Sequence, residues 1–310
     1  MPTLRRDGES DNAAAGEHCY RLAGLRWYSS QSIAALEAFS GSATPAGQTY
    51  CMTGFPDAGV SATTEGWLAG AQRSVRADYI GGACRVTVEG VGEFRVDPHR
   101  IDYPEPTATV SLSVLVEALL GPALLLALAT AGRFALHASA AQVADRGLWL
   151  FLGDSGAGKS TLAASIGSNP GCLPVADDVL PVRWDGATLW ALPWYPQLKL
   201  GDHGQYARGG MPEHLPVSAL CALAPGHARD PVTIERLSLL EATTVLIRQT
   251  LSARLFSPDL LARHLHDFAR AATSIPLYRL QVPRDLGRLD EVHRTLRQTE
   301  AARAPQGIAS

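Results

Sequence analysis

The chain has 310 residues, of which 46% are apolar and 18% charged, and its formal net charge is −3. That length allows one large domain or two ordinary ones with a real core. The weakly acidic balance, without a dense Lys/Arg run, argues against a nucleic-acid protein held by a basic surface. Five widely spaced cysteines (Cys19, Cys51, Cys84, Cys172 and Cys221) with no C-x-x-C argue against a disulfide framework or a zinc knuckle.

Taken in chain order, residues 1–18 lack the apolar run of a secretory signal and read as a loose, disordered polar arm. Residues 19–105 are rich in Gly, Thr, Val and aromatics and read as a small β-rich domain. Within them SIAALEAFSG predicts one short helix stopped by Gly41. Val86, Val88, Phe94 and Val96 alternate around Gly90 and Gly92, a strand–turn–strand signal. Tyr103-Pro104-Glu105-Pro106 reads as a linker. Residues 110–131, VSLSVLVEALLGPALLLALATA, are long enough to span a bilayer. Glu117 and Pro122, and the lack of charged or aromatic anchors at the start, instead predict a buried helix pair broken near Gly121-Pro122. The expectation is a cytoplasmic protein without a membrane span.

RFALHASAAQV and GLWLFLG then read as two short buried strands, the second running into a glycine-rich loop. A helix is expected over residues 159–166, punctuated by Gly167. CLPVA is the next buried strand and ends at Asp177-Asp178. In VLPVRWDGATLWAL two apolar runs flank Asp185-Gly186, a strong hairpin signal. Antiparallel strands therefore lie beside the loop, and the sheet is mixed. SPDLLARHLHDFARAA opens as a helix, with Ser257 as cap, Pro258 at the first position and Asp259 in the first turn. IPLYRLQV reads as a strand, and Leu286, Leu289, Val292 and Leu296 mark a closing helix. The predicted organisation is α/β: an arm over 1–18, a β-rich domain over 19–105, a catalytic domain over 106–299 and a disordered tail over 300–310.

The chemistry concentrates in LFLGDSGAGKSTLA. Gly153, Gly158, Lys159 and Ser160 fit G-x-x-x-x-G-K-[ST]. Such a loop wraps a phosphate with backbone N–H groups, and the following helix adds its N-terminal dipole. Gly153, Asp154, Ser155, Gly156, Ala157, Gly158, Lys159, Ser160 and Thr161 form the candidate nucleotide site. Lys159 is placed to reach the β- and γ-phosphates, and Ser160 to offer its hydroxyl to Mg²⁺. Asp177 and Asp178 follow at the end of a buried strand, where ligands bind in α/β sheets. One carboxylate can hold Mg²⁺ and the other can accept a proton from an attacking hydroxyl. The assignment taken is Asp177 to the metal and Asp178 to the base. A close acidic pair on the next strand is more typical of kinases acting as transferases than of switches or motors. No Asn/Thr-Lys-x-Asp guanine reader is present, so ATP is the expected nucleotide. His137, in ALHASA, is by itself a core histidine. Its strand should neighbour the loop strand, which would bring it near the reacting groups.

The order LHASA, GDSGAGKST, ADDV resembles the catalytic domain of HPr kinase/phosphorylase and its relatives over roughly residues 105–300. The resemblance implies a core shared with phosphoenolpyruvate carboxykinase, with a phosphate loop on a mixed sheet. It also implies His137 near the reacting groups, Lys159 and Ser160 on phosphate and Mg²⁺, and the two aspartates as metal ligand and base. Two departures stand out. Ala138 follows the histidine where that family has Gly, and PQLKL with Lys199 falls roughly where its Glu-Ile-Arg-Gly signature would be. The chain is more similar to a divergent subgroup with an L-H-A-S strand and a G-V-G-x-F-x-V stretch, here residues 90–96. Some members of that subgroup phosphorylate a C-terminal serine of lasso-peptide precursors. The implied partner is thus a peptide or small protein bearing the acceptor serine, and the relatives' hexamers raise assembly of several copies. Lys199 and Arg248 are further candidates for the transferring phosphoryl group, each balanced by an ordinary surface role. His264 and His266 should point to different helix faces rather than share a metal. A small-molecule kinase of shikimate or nucleotide type, an HPr-like protein serine kinase and an ATP-binding regulatory protein are the rival readings.

Overall fold

Alternating β-formers run through the first hundred residues, and in the computed structural model they pair into one antiparallel sheet. The structure describes residues 3–6, 18–29, 31–40, 59–68, 72–98, 100–105, 108–193, 195–196 and 211–299. The strands are β1 (Thr3–Arg6), β2 (His18–Leu22), β3 (Leu25–Ser29), β4 (Val60–Leu68), β5 (Arg73–Ile80), β6 (Ala83–Val88), β7 (Gly92–Val96) and β8 (Arg100–Asp102). Their order is β2-β3-β1-β8-β7-β6-β5-β4. Leu4, Ile101, Val96 and Cys84 stand in register across four strands, and all are buried. The opposite face is polar: the Thr3 hydroxyl donates to Asp102 at 2.6 Å and the Thr63 hydroxyl to Asp78 at 2.7 Å.

The expected arm over 1–18 is corrected at its start, because β1 pairs on both edges, with β3 and with β8. The SIAALEAFSG helix is a 3₁₀ turn over Ala34–Phe39, and Gly41 lies outside the described residues. The helix pair is α1 (Leu112–Ala118) and α2 (Leu124–Thr130), joined by a π turn over Leu119–Ala123. Gly121 leaves helical geometry there (φ −84°, ψ −107°). Pro122 supplies no N–H to the ladder, which accounts for the break. The span Leu112–Thr130 is long and apolar enough to cross a bilayer, but 67% of its apolar window is buried inside the protein.

The chain divides into two units, Met1–Phe134 with Ser252–Arg263 and Ala135–Leu251 with His264–Ser310. The first boundary thus falls at 134/135 rather than at 105/106. The reason is packing: α2 lies against β7 and β8. Leu119, Leu120, Leu124, Leu126 and Leu128 are withdrawn from solvent almost completely. An antiparallel sheet with one apolar face needs such a cover, and the helix pair is part of it.

The second unit is a mixed α/β layer. Its strands are β9 (Arg133–Leu136, which straddles the division), β10 (Ala138–Val143), β11 (Gly147–Leu152), β12 (Leu173–Ala176), β13 (Leu180–Asp185), β14 (Thr188–Ala191), β15 (Leu215–Gly226), β16 (Thr233–Arg236) and β17 (Leu277–Pro283). The main path is β12-β10-β11-β15-β14-β13-β9, with β17 branching from β15 and β16 pairing β17. β15 runs parallel to β11 and β17, whereas β10 is antiparallel to both its neighbours. The Asp185-Gly186 turn closes the β13–β14 hairpin with Gly186 at φ +57°. The helices are α3 (Lys159–Gly167), α4 (Leu239–Arg248) and α6 (Leu289–Gln298), with α5 (Pro258–Ser274) straddling the division as β9 does. The core joins Trp149, Phe151, Leu162, Ile166, Cys221, Leu280, Val292 and Leu296, placing α3 and α6 on one face of the sheet. Leu286 does not join that stripe. It sits in a 3₁₀ turn before α6 and is 73% exposed.

Candidate active site

Three chain segments end at one edge of the second sheet. β11 ends at Leu152 and feeds residues 153–158, β12 ends at Ala176 and feeds Asp177-Asp178, and β10 begins there at Ala138. The register fixes the convergence: Ala138 pairs Leu152, and Ala140 pairs Ala176. Because β10 runs opposite to its neighbours, its first residues meet their last ones. RFALHASAAQV, expected as one strand, is two strands broken at His137. The His137 backbone N–H donates to Gln249 O at 2.7 Å, which removes it from the ladder.

Residues 153–158 form a tight loop, closed by Ala157 N–H donating to Asp154 O at 3.1 Å. Gly153 (φ +149°) and Gly156 (φ +83°) occupy backbone regions that side chains disfavour. A Cβ on Gly153 would also stand 3.2 Å from Ala157 Cβ and 3.4 Å from Leu223 O. α3 then starts at Lys159 with Gly158 as N-cap. Lys159 is buried, 6% exposed, and its ammonium donates to Gly153 O at 2.7 Å and Asp154 O at 3.1 Å. The cation thus folds back into the loop. Asp154, Ser155, Ser160 and Thr161 are exposed, and Ala157 is buried under the loop.

Each aspartate meets a different residue of β10's start. His137 Nε2 lies 3.0 Å from Asp178 Oδ1. The Ser139 hydroxyl donates to Asp177 Oδ1 at 2.7 Å. Ser139 was not singled out from the sequence, although a serine inside the apolar run Ala138–Val143 is a signal that could have found it. Asp178 sits at φ +76°, and Val179 N–H donates to Asp177 O at 3.1 Å. This is a γ-turn of the rarer hand, a conformation that costs energy and clusters at functional sites.

Arg248 is exposed at the last position of α4, one residue before Gln249, whose carbonyl holds the His137 N–H. Lys199 lies outside the described residues. His264 is buried and His266 exposed, so they do occupy different helix faces. The Thr250 hydroxyl donates to Leu246 O at 2.8 Å, and His264 Nε2 stands 2.9 Å from that hydroxyl. Burial pulls the His264 imidazole down to about 4.

Among the described residues no cluster of three or more His, Cys, Asp or Glu side chains is placed to hold a metal. The donors at this sheet edge are instead two half-buried carboxylates and the Ser160 hydroxyl, all hard oxygens. That chemistry suits Mg²⁺, which keeps waters and shares phosphate oxygens rather than taking a full protein cage. The loop with its backbone amides and buried ammonium suits a polyphosphate.

No protein-family model and no curated protein matches this chain. Among solved structures it is similar to the Hpr(Ser) kinase/phosphatase from Coxiella burnetii, with TM-score 0.31 and 12% identity over 53% of this chain and 94% of that one.

Proposed function

We propose that this protein is an ATP-dependent kinase that transfers the γ-phosphoryl group to a serine hydroxyl of a peptide or small protein. The observation that carries the reading is the meeting, at one sheet edge, of the 153–161 loop, the His137–Asp178 pair and the Ser139–Asp177 pair. A carboxylate held beside the phosphate loop by its own histidine can serve as base toward an acceptor hydroxyl. A transferase needs a base beside the phosphate.

The roles follow from position. The loop amides and Lys159 bind the β- and γ-phosphates, for which the ammonium exchanges its two loop carbonyls for phosphate oxygens. Asp177 and Ser160 would hold Mg²⁺, which when bound neutralises charge on the phosphates. Asp178 accepts the proton of the acceptor hydroxyl while that oxygen attacks the γ-phosphorus. The bond from that phosphorus to the bridging oxygen breaks, and ADP leaves with the electron pair. His137 fixes the orientation of the Asp178 carboxylate. Arg248 and Lys199 are the candidates for charge stabilisation on the moving group.

The specific acceptor we infer is the C-terminal serine of a lasso-peptide precursor, on the likeness of LHASA, GDSGAGKST, ADDV and residues 90–96 to kinases of that kind. We further propose a cytoplasmic setting, with ATP and Mg²⁺ as the cofactors, and leave a homo-oligomer as one form to be tested by size-exclusion chromatography. The test is mass spectrometry after incubation with ATP, Mg²⁺ and two peptide pools, one ending in serine and one with internal serine. Shikimate and nucleosides are run alongside. Phosphate gain on the serine-terminal pool, lost in Asp178→Asn, is expected. Gain on internal serine alone removes the precursor reading. Gain on a small molecule alone, or ATP turnover with nothing modified, removes the peptide kinase. If Asp178→Asn keeps full transfer while Asp177→Asn abolishes it, the base assignment is wrong.

A further inference from the structure

The roles above use Lys159, Ser160, Asp177, Asp178 and His137 and leave one buried polar group beside them, the Ser139 hydroxyl. Ser139 is 0% exposed and is flanked on its strand by Ala138, Ala140 and Ala141, all equally withdrawn from solvent. A hydroxyl buried there is costly unless it is paired. It carries one proton, and that proton is given to Asp177 Oδ1 at 2.7 Å. A hydrogen bond donated to a carboxylate is short and strong. It also removes the rotational freedom of a side chain that is half exposed at a strand end.

We infer that Ser139 is a positioning residue that holds the Asp177 carboxylate by one oxygen and so presents the other to a divalent cation. The inference rests on the kinase reading above, with Asp177 as the cation ligand. Hydrogen bonds of this kind, to a ligand rather than to the metal, set ligand orientation, and their loss typically costs about 10–100-fold in metal affinity. Ser139 is the second residue of β10, and His137 stands at the break just before it. One holds Asp177 and the other Asp178, so the two carboxylates are oriented independently.

The experiment titrates Mn²⁺, an EPR-visible stand-in for Mg²⁺, into the full chain saturated with ADP. It compares the unaltered protein, Ser139→Ala, Ser139→Thr and Asp177→Asn, and measures ADP affinity without metal in parallel. Ser139→Ala is expected to weaken Mn²⁺ by about tenfold and to leave metal-free ADP affinity within twofold. Ser139→Thr, which keeps the hydroxyl, should restore most of the Mn²⁺ affinity, and Asp177→Asn should lose more than Ser139→Ala. A second readout is the Mg²⁺ dependence of phosphoryl transfer. In Ser139→Ala the half-activating Mg²⁺ concentration should rise about tenfold with the plateau rate retained. Equal Mn²⁺ affinity in Ser139→Ala and the unaltered protein overturns the inference and leaves the kinase reading standing. Metal-free ADP affinity falling in step with Mn²⁺ affinity also overturns it, because the bond is then holding the fold. Absence of any ADP-dependent Mn²⁺ binding by the unaltered protein overturns the kinase reading together with the inference.

Discussion

Replacing Gly153 by alanine should damage the loop in two separable ways. At φ +149° the backbone is strained for any L side chain, and strain of that kind costs about 1–3 kcal/mol. The new Cβ would also stand 3.2 Å from Ala157 Cβ and 3.4 Å from Leu223 O. Ala157 and Leu223 are buried, at 8% and 7% exposure, so neither can move into solvent. Crowding of this sort adds about 1 kcal/mol or more. Gly156 supplies the control. It has φ +83°, and a Cβ there meets nothing within 4 Å. Gly156→Ala should therefore cost strain alone, about 1 kcal/mol. Urea unfolding followed by circular dichroism gives both values, and the expected difference is about 1–2 kcal/mol in favour of Gly156→Ala. ATP binding by calorimetry should fall in both variants and further in Gly153→Ala, because the Gly153 carbonyl is one of the two that hold Lys159. If the two variants unfold at the same urea concentration, Ala157 and Leu223 do not crowd a side chain at position 153.

Four further outcomes are expected. Gly167→Ala places a Cβ 2.3 Å from Pro174 Cδ and 2.7 Å from its backbone nitrogen. Because α3 and β12 would be forced apart, a loss of about 3 kcal/mol in urea unfolding is expected. His264, pulled down to about 4 by burial, accepts a proton more readily in the unfolded chain, whose histidines titrate near 6.5. Its stabilisation is complete above pH 6.5 and is lost as pH falls towards 4, on the order of 3 kcal/mol. His264→Gln should flatten that part of a stability–pH curve. Ser238 and Glu241 form a reciprocal cap on α4, and Ser238→Ala should cost about 1 kcal/mol in the same unfolding assay. Burial pushes the Cys84 thiol up to about 12 and the Cys221 thiol up as well. Among the described cysteines, the half-buried Cys172 should therefore be alkylated first by iodoacetamide in the folded protein.

The sequence was most legible where local chemistry dictates geometry. The Asp185-Gly186 hairpin, the Ser257-Pro258-Asp259 helix start and the break at Gly121-Pro122 each rest on residues with strong local backbone or capping preferences, and each is found. It was least legible where pairing partners decide. β15, which sits between β11 and β14 and branches to β17, reads LPVSALCALAPG. With two prolines and three alanines it carries little strand propensity of its own, so its place in the sheet comes from its neighbours. Residues 3–6 look polar and dispensable, yet two neighbouring strands bond to them. The candidate site shows the same division. The glycine loop and the acidic pair stand out as spacing. Ser139 and the Gln249 carbonyl were missed because their parts depend on a strand crossing that no local pattern announces.

That crossing explains why the two aspartates need a strand other than their own. Asp177 and Asp178 are adjacent, so an extended chain would send their side chains to opposite faces of the sheet. The left-handed turn at Asp178 breaks the alternation, and β10 then receives both carboxylates, on His137 and on Ser139. The register of β10 decides which residues stand there. Slipping it by one position would offer Ala138 and Ala140, neither of which can bond a carboxylate. The register shift against β12 lies between Ala140 and Ala141, one residue beyond Ser139. It leaves the Ala140–Ala176 pairing in place at the site and absorbs the irregularity beyond it, as a bulge does when it aims a side chain. The strained turn, the strand break at His137 and the bulge are therefore parts of one arrangement. Each departs from regular β structure, and together they bring an imidazole and a hydroxyl to two neighbouring acids.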